Sequence, residues 1–167
     1  QCNTTGCHNT AIGYQALFCN TIGSHNTAIG NQALCKNTFG CNNTAIGCKA
    51  LYGNTTGSNN TAIGEAALQF NFTGVNNVAI GYCALYSNNS DNNIAIGNNA
   101  LFNNTTGGNN FASGYGALRN TNSNSNIGIG VLALGNNSSG YYNIALGPYA
   151  SNYGTTGTYN IAQGYMA

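Results

Sequence analysis

Seven cysteines, two histidines and two carboxylates are the side chains of this sequence that could do chemistry. The carboxylates, Glu65 and Asp91, fall at unrelated positions of the repeating pattern described below, and neither is placed to meet a histidine. No acid–base pair or nucleophile–base set can be assembled from them, so an enzyme is not expected. Cys7, His8, His25 and Cys41 invite a metal reading, but their spacing matches no zinc signature. His8 and His25 stand seventeen residues apart, and the same interval continues to Asn42, Asn59 and Asn76. The two imidazoles therefore read as outward polar residues of one series, and neither metal nor cofactor is expected.

Six of the cysteines, Cys2, Cys7, Cys19, Cys35, Cys41 and Cys48, crowd the first part of the chain, and Cys83 stands alone. Cys2 and Cys19 are also seventeen residues apart. If that interval separates stacked levels of backbone, their Cα atoms lie about 5 Å apart, within the range of a disulfide. Cys7 and Cys41 are two such intervals apart, too far to bridge, and Cys35 is one residue out of register with Cys19. A disulfide implies an oxidising, extracellular setting; the competing reading is that several cysteines are small buried hydrophobes. Asn-X-Ser/Thr sequons add a second extracellular signal. Asn3, Asn54 and Asn104 share one position beside a Thr-Thr-Gly turn, which reads as an exposed loop able to carry a glycan.

The element that must position these residues is a repeat. Ala-Ile-Gly begins at Ala11, Ala28, Ala45, Ala62, Ala79 and Ala95 and persists in altered form from Ala112, Gly128, Ala145 and Ala162. Seven of the nine intervals are seventeen residues and two are sixteen. Two residues before each start stands an asparagine: Asn9, Asn26, Asn43, Asn60, Asn77, Asn93, Asn110, Asn126, Asn143 and Asn160. The third residue is always glycine, and an alanine follows five after the start, from Ala16 to Ala167.

Coils stacked about 4.8 Å apart bring like residues together. An Asn column at a corner can then link amides from level to level, and glycine serves a corner with positive φ or close backbones. Thr10-Ala11-Ile12 has the period of two of a strand, and the reading adopted is that Ile and the preceding Thr, Val, Ile or Phe face the core. Asn, Gly and Thr interrupt every apolar run, which excludes helices. The expected fold is an all-β, single-chain β-solenoid (β-roll or β-helix) of about ten coils, occupying residues 1–167 as one domain with cysteine-rich first coils.

Lys36, Lys49, Glu65, Asp91 and Arg119 are the only charges, so no basic stripe for nucleic acid exists. No apolar run approaches a membrane span. A chain so poor in charge either associates or is covered by something hydrophilic. The chain starts and stops at nearly the same point of the repeat, and without polar capping coils this suggests head-to-tail self-association. Tyr14, Tyr82, Tyr115 and Tyr165, and Phe18, Tyr52, Tyr86 and Phe102, form partial ladders that could stack or grip sugars.

The unit from Asn9 to Ala16, Asn-Thr-Ala-Ile-Gly with a later alanine, resembles the head repeat of trimeric autotransporter adhesins and related phage tail-fibre and surface-fibre repeats. The resemblance implies a left-handed β-roll on a cell or virion surface, with trimeric assembly and glycans or cell-surface ligands among its partners. The function expected is an extracellular structural fibre with an adhesive role. The alternative is an ice-binding, antifreeze-type solenoid, since Thr10, Thr27, Thr44 and Thr61 form a rank; against it, the rank passes to Val78 and Ile94, as a core-facing column would.

Overall fold

The computed structural model describes residues 3–152, 154 and 156–167. They form ten three-residue strands: β1 (Thr10–Ile12), β2 (Thr27–Ile29), β3 (Thr44–Ile46), β4 (Thr61–Ile63), β5 (Val78–Ile80), β6 (Ile94–Ile96), β7 (Phe111–Ser113), β8 (Ile127–Ile129), β9 (Ile144–Leu146) and β10 (Ile161–Gln163). All ten lie in one parallel sheet in chain order. Each residue pairs with its counterpart one coil away, as Ala62 does with Ala79 and Ile63 with Ile80. The chain is thus an all-β solenoid of about nine turns, rising about 43 Å at a usual strand spacing. Among the described residues there is no helix, and so none long and apolar enough to cross a membrane.

The strands face the opposite way from the expectation. The central alanines, Ala28, Ala45, Ala62, Ala79, Ala95, Ala112 and Ala145, are fully buried, whereas Ile46 and Ile63 are 37% and 38% exposed. The Thr, Val or Ile that opens each strand is half-buried in most coils. Cross-section explains the inversion. The interior is already filled by the second alanine column, from Ala33 to Ala150, and by Leu17, Leu34, Leu51, Leu68, Leu85, Leu101, Leu118 and Leu134. Opposite them there is room for a methyl group and little more. At Gly128 even a Cβ would lie 3.1 Å from Leu118 Cγ.

Coil corners are held in left-handed backbone. Each core leucine sits near φ 50°, as Leu68 does at 52°, a conformation that costs free energy in isolation. The stack offsets it with bonds such as Leu68 N–H to Ala84 O at 3.0 Å. Gly64 shows why the strand ends in glycine. Its φ is +131°, and a Cβ there would lie 2.5 Å from the Gly81 carbonyl oxygen of the next coil.

The two sixteen-residue intervals leave strand register intact, with Val78 opposite Ile94 and Phe111 opposite Ile127. The residue is lost in the loop before the strand, where Ser90 and Ser123 replace the glycine of other coils. Their hydroxyls donate to the carbonyls of Gly107 and Gly140, each at 2.5 Å. A deletion is absorbed where a side chain can span the missing backbone.

Candidate functional site

The Asn9 column forms a ladder, though by backbone rather than amide-to-amide bonds in most coils. Asn77 N–H donates to Asn60 Oδ1 at 2.9 Å, and Asn60 Nδ2 donates to Gly74 O at 2.8 Å. Both groups lie in the interior, since Asn60 is wholly buried. From Asn110 to Asn160 amide-to-amide bonds are added, for instance Asn143 Nδ2 to Asn126 Oδ1 at 3.2 Å.

A second asparagine ladder was not foreseen. Asn20, Asn37, Asn54, Asn71, Asn88 and Asn104 are buried, and their amides do link level to level: Asn54 Nδ2 donates to Asn37 Oδ1 at 2.8 Å and to Gly57 O at 2.9 Å. Asn104 likewise donates to Asn88 Oδ1 and Gly107 O. This corrects the glycan expectation at Asn54 and Asn104, which do not lie in an exposed loop: their amide nitrogens are buried and engaged. Asn3 at the end of the same column is exposed. Among the sequon asparagines Asn42, Asn59, Asn103 and Asn136 are also exposed. The signal available in the sequence was the glycine that stands three residues after each Asn of this column but Asn88, and whose carbonyl accepts the amide; at Asn88 the acceptor is Ser90 O.

The cysteines lie apart chemically. Cys7, Cys19, Cys35, Cys41, Cys48 and Cys83 are free thiols, and the expected Cys2–Cys19 pair involves Cys2, which lies outside the described residues. No disulfide is found among the described residues. Cys19 instead neighbours Cys35, its N–H donating to the Cys35 carbonyl at 2.9 Å. Burial pushes the Cys35 thiol up, with Cys19 adding to the effect, and burial likewise pushes up Cys83. Cys7, Ser24 and Cys41 share a rail in which the Ser24 Oγ accepts from Cys7 N–H at 3.1 Å and the Cys41 sulfur from Ser24 N–H at 3.4 Å.

His8 and His25 stack, 4.8 Å apart and inclined by 13°. Among the described residues no three His, Cys, Asp or Glu side chains cluster as metal ligands. Asp91 accepts the Val75 N–H at 2.8 Å, a structural bond in the same rail as Cys7.

The remaining acid has different surroundings. Glu65, with Lys49, Gln69, Tyr82, Tyr86 and Phe102, borders an open cleft of about 400 Å³ on the side of the roll where the aromatic ladders run. Tyr86 and Phe102 stack 4.9 Å apart and almost parallel, at 3°. Phe70 meets Tyr86 edge-on at 5.0 Å. Two basic residues of this side lie over rings, Lys36 4.9 Å from the Tyr52 centroid and Arg119 5.7 Å from that of Phe102, while Lys49 borders the cleft. Such contacts are favourable but modest. The cleft is the place where unpaired polar groups, a charge of each sign and exposed rings converge.

No protein-family model, curated protein or solved structure matches this chain. The likeness to adhesin and tail-fibre repeats therefore rests on the repeat unit itself.

Proposed function

We propose that this chain is a rod-forming structural protein of a cell or virion exterior, with an adhesive face and no catalytic role. One observation carries the reading: ten strands stack in unbroken register, with a parallel backbone ladder and buried Asn columns flanking an Ala/Leu core. Every level repeats the one beneath, so further coils, of this chain or of a second copy, can continue the stack without a new kind of contact. Stiffness comes from the many bonds that must break together to bend such a column.

Self-association has a surface suited to it. The outward isoleucines Ile46, Ile63, Ile80 and Ile96 form an exposed stripe along the sheet, which Ser113 interrupts before Ile129. Three residues by nine strand spacings give the whole face, its threonines and Ser113 included, an area of about 430 Å². A second copy of the same flat face is its complement in shape and polarity. Glycans, on this reading, attach at Asn42, Asn59, Asn103 or Asn136 rather than at the buried sequons.

Electron microscopy of the purified chain with solution scattering tests the proposal. Rods of constant width that lengthen or pair with concentration are expected; a compact particle that stays monomeric at every concentration overturns it.

A second reading is favoured by one observation. Thr27, Thr44 and Thr61, half-buried, stand on the outward side of the sheet beside half-buried Ile29 and exposed Ile46 and Ile63, so the rank expected to face the core is a surface array. Ice binding needs this face free, whereas association covers it. Thermal hysteresis in a monomeric sample supports the ice reading, and its absence at millimolar protein disposes of it.

A further inference from the structure

We propose that the cleft beside Glu65 binds a neutral saccharide, held against the Tyr82 ring, walled by Tyr86 and Phe102 and hydrogen-bonded by Lys49, Glu65 and Gln69. This names a ligand for the adhesive part of the function proposed above and rests on that part alone.

The cleft exists because one column is interrupted. The position five residues after each strand start carries Gln15, Gln32, Lys49, Ala66, Cys83 and Asn99 in successive coils. Ala66 keeps the backbone of its neighbours, with φ of 57° against 56° at Gln32 and Lys49. Its N–H still donates to Cys48 O at 2.9 Å, and the Cys83 N–H to Glu65 O at 3.0 Å. The coil path is unchanged, and what is missing is side-chain volume. A methyl where a long polar chain would lie leaves a hollow between Lys49 and Cys83.

That gap also leaves polar groups unpaired. Higher in the column Gln32 Nε2 donates to Gln15 Oε1 at 2.9 Å, so the amides satisfy each other. Beside Ala66 no such partner exists, and the side chains of Lys49, Glu65 and Gln69 make no hydrogen bond or ion pair among the described residues. They form a donor, an acceptor and a group that is both, around one hollow. Hydroxyls of a polyol can donate to Glu65 and accept from Lys49, and such charge-assisted bonds are the stronger kind.

Aromatic surface supplies the other half of a sugar site. The Tyr86 and Phe102 rings turn their faces to each other, so it is Tyr82, at the rim and 51% exposed, that offers ring surface to a sugar. Ring faces carry negative charge density and attract the weakly positive C–H groups of an apolar sugar face. The volume falls within the range of small-molecule sites.

Charge selects the class of ligand. Two of the chain's five charges stand here with opposite sign. An anionic sugar meets the Glu65 carboxylate and a cationic one the Lys49 ammonium, whereas a neutral sugar uses both.

Titration calorimetry and saturation-transfer NMR on the whole chain test this, with glucose, galactose, N-acetylglucosamine and their linear oligomers as probes and glucosamine and glucuronic acid as charged counterparts. Binding of at least one neutral probe, tighter than of its charged counterparts, is expected. Ala66→Gln places in the hollow the residue the same column holds at Gln15 and Gln32, so the fold is kept, and it should weaken binding by about tenfold or more, which is about 1.4 kcal/mol. Tyr82→Ala should do the same, while Tyr115→Ala, outside the cleft, should change nothing. The assignment is overturned if no neutral saccharide binds at tens of millimolar, if a charged counterpart binds tighter, or if Ala66→Gln binds as the parent does. Rod shape is read separately by microscopy on the same samples, so loss of sugar binding and loss of the rod are distinguishable.

Discussion

At the scale of single residues the protein is governed by buried amides. Asn60 engages every polar group it has: its N–H donates to Asn43 Oδ1, its Nδ2 to Gly74 O, and its Oδ1 accepts from Asn77 N–H. Asn60→Ala strands the buried Asn77 N–H, at about 1–3 kcal/mol, while Gly74 O keeps its bond from Asn71 Nδ2. A loss of about 1–3 kcal/mol in denaturant unfolding is expected, against less than about 1 kcal/mol for Asn160→Ala in the exposed last coil. The second ladder contains its own natural defect. Thr121 replaces asparagine there, and its hydroxyl is the one buried side-chain oxygen or nitrogen without a hydrogen bond among the described residues. Thr121→Asn should reconnect Asn104 to Asn137 and raise stability by about 1 kcal/mol. Thiols obey burial in the same way. Cys35 and Cys83, pushed up by burial, should alkylate more slowly at neutral pH than exposed Cys7 and Cys48, as mass mapping of a time course will show. Folding holds the protons of the two buried thiols more tightly than the unfolded chain does. Their contribution to stability is therefore intact below about pH 8.5, the ordinary thiol value, and declines as pH rises through it.

At the scale of the strand, three residues decide which side is inside. Ala62 is fully buried and its neighbour Ile63 faces out. Ala62→Leu should overpack the interior and cost about 1–3 kcal/mol, whereas Ile63→Ala in a monomeric sample should cost less than about 1 kcal/mol. Equal or reversed losses, measured by urea midpoint, would place isoleucine in the core. The loops show a complementary tolerance. Ser90 and Ser123 take over where a residue is missing, because a hydroxyl can reach the next coil's carbonyl and also accept from Asn93 and Asn126 Nδ2 at 3.1 and 3.2 Å.

At the scale of the whole molecule, the sheet presents a straight apolar stripe in a chain with only five charges. If that stripe is the surface on which copies meet, adding charge to it should separate them without touching the core. Ile63→Lys with Ile80→Lys should yield monomers in sedimentation velocity under conditions where the parent associates, with unfolding little changed. Continued association of the double variant would move the interface elsewhere, to the coil ends or the aromatic side. A lysine cannot be desolvated against a second lysine on the facing copy without a large penalty.

Much of this architecture was legible in the sequence because repetition exposes demand. The interval of Ala-Ile-Gly specified the stack and its register, the Asn9 column its buried ladder, and the glycine after each strand the closeness of one coil to the next. A repeat reports that a column is constrained without reporting which side of the backbone encloses it. Alternation at Thr-Ala-Ile defines two faces, and apolar bulk argued for isoleucine inside; only the closed cross-section, too narrow for more than a methyl beside the leucines, turned alanine inward. The same closure carried Asn54 and Asn104 from a supposed surface loop into the interior. It also brought Lys49, Glu65 and Tyr82, from three different coils, around the gap left by Ala66. Sequence alone determined what is stacked on what, while inside, outside and cleft were decided by how large a space seventeen residues can enclose.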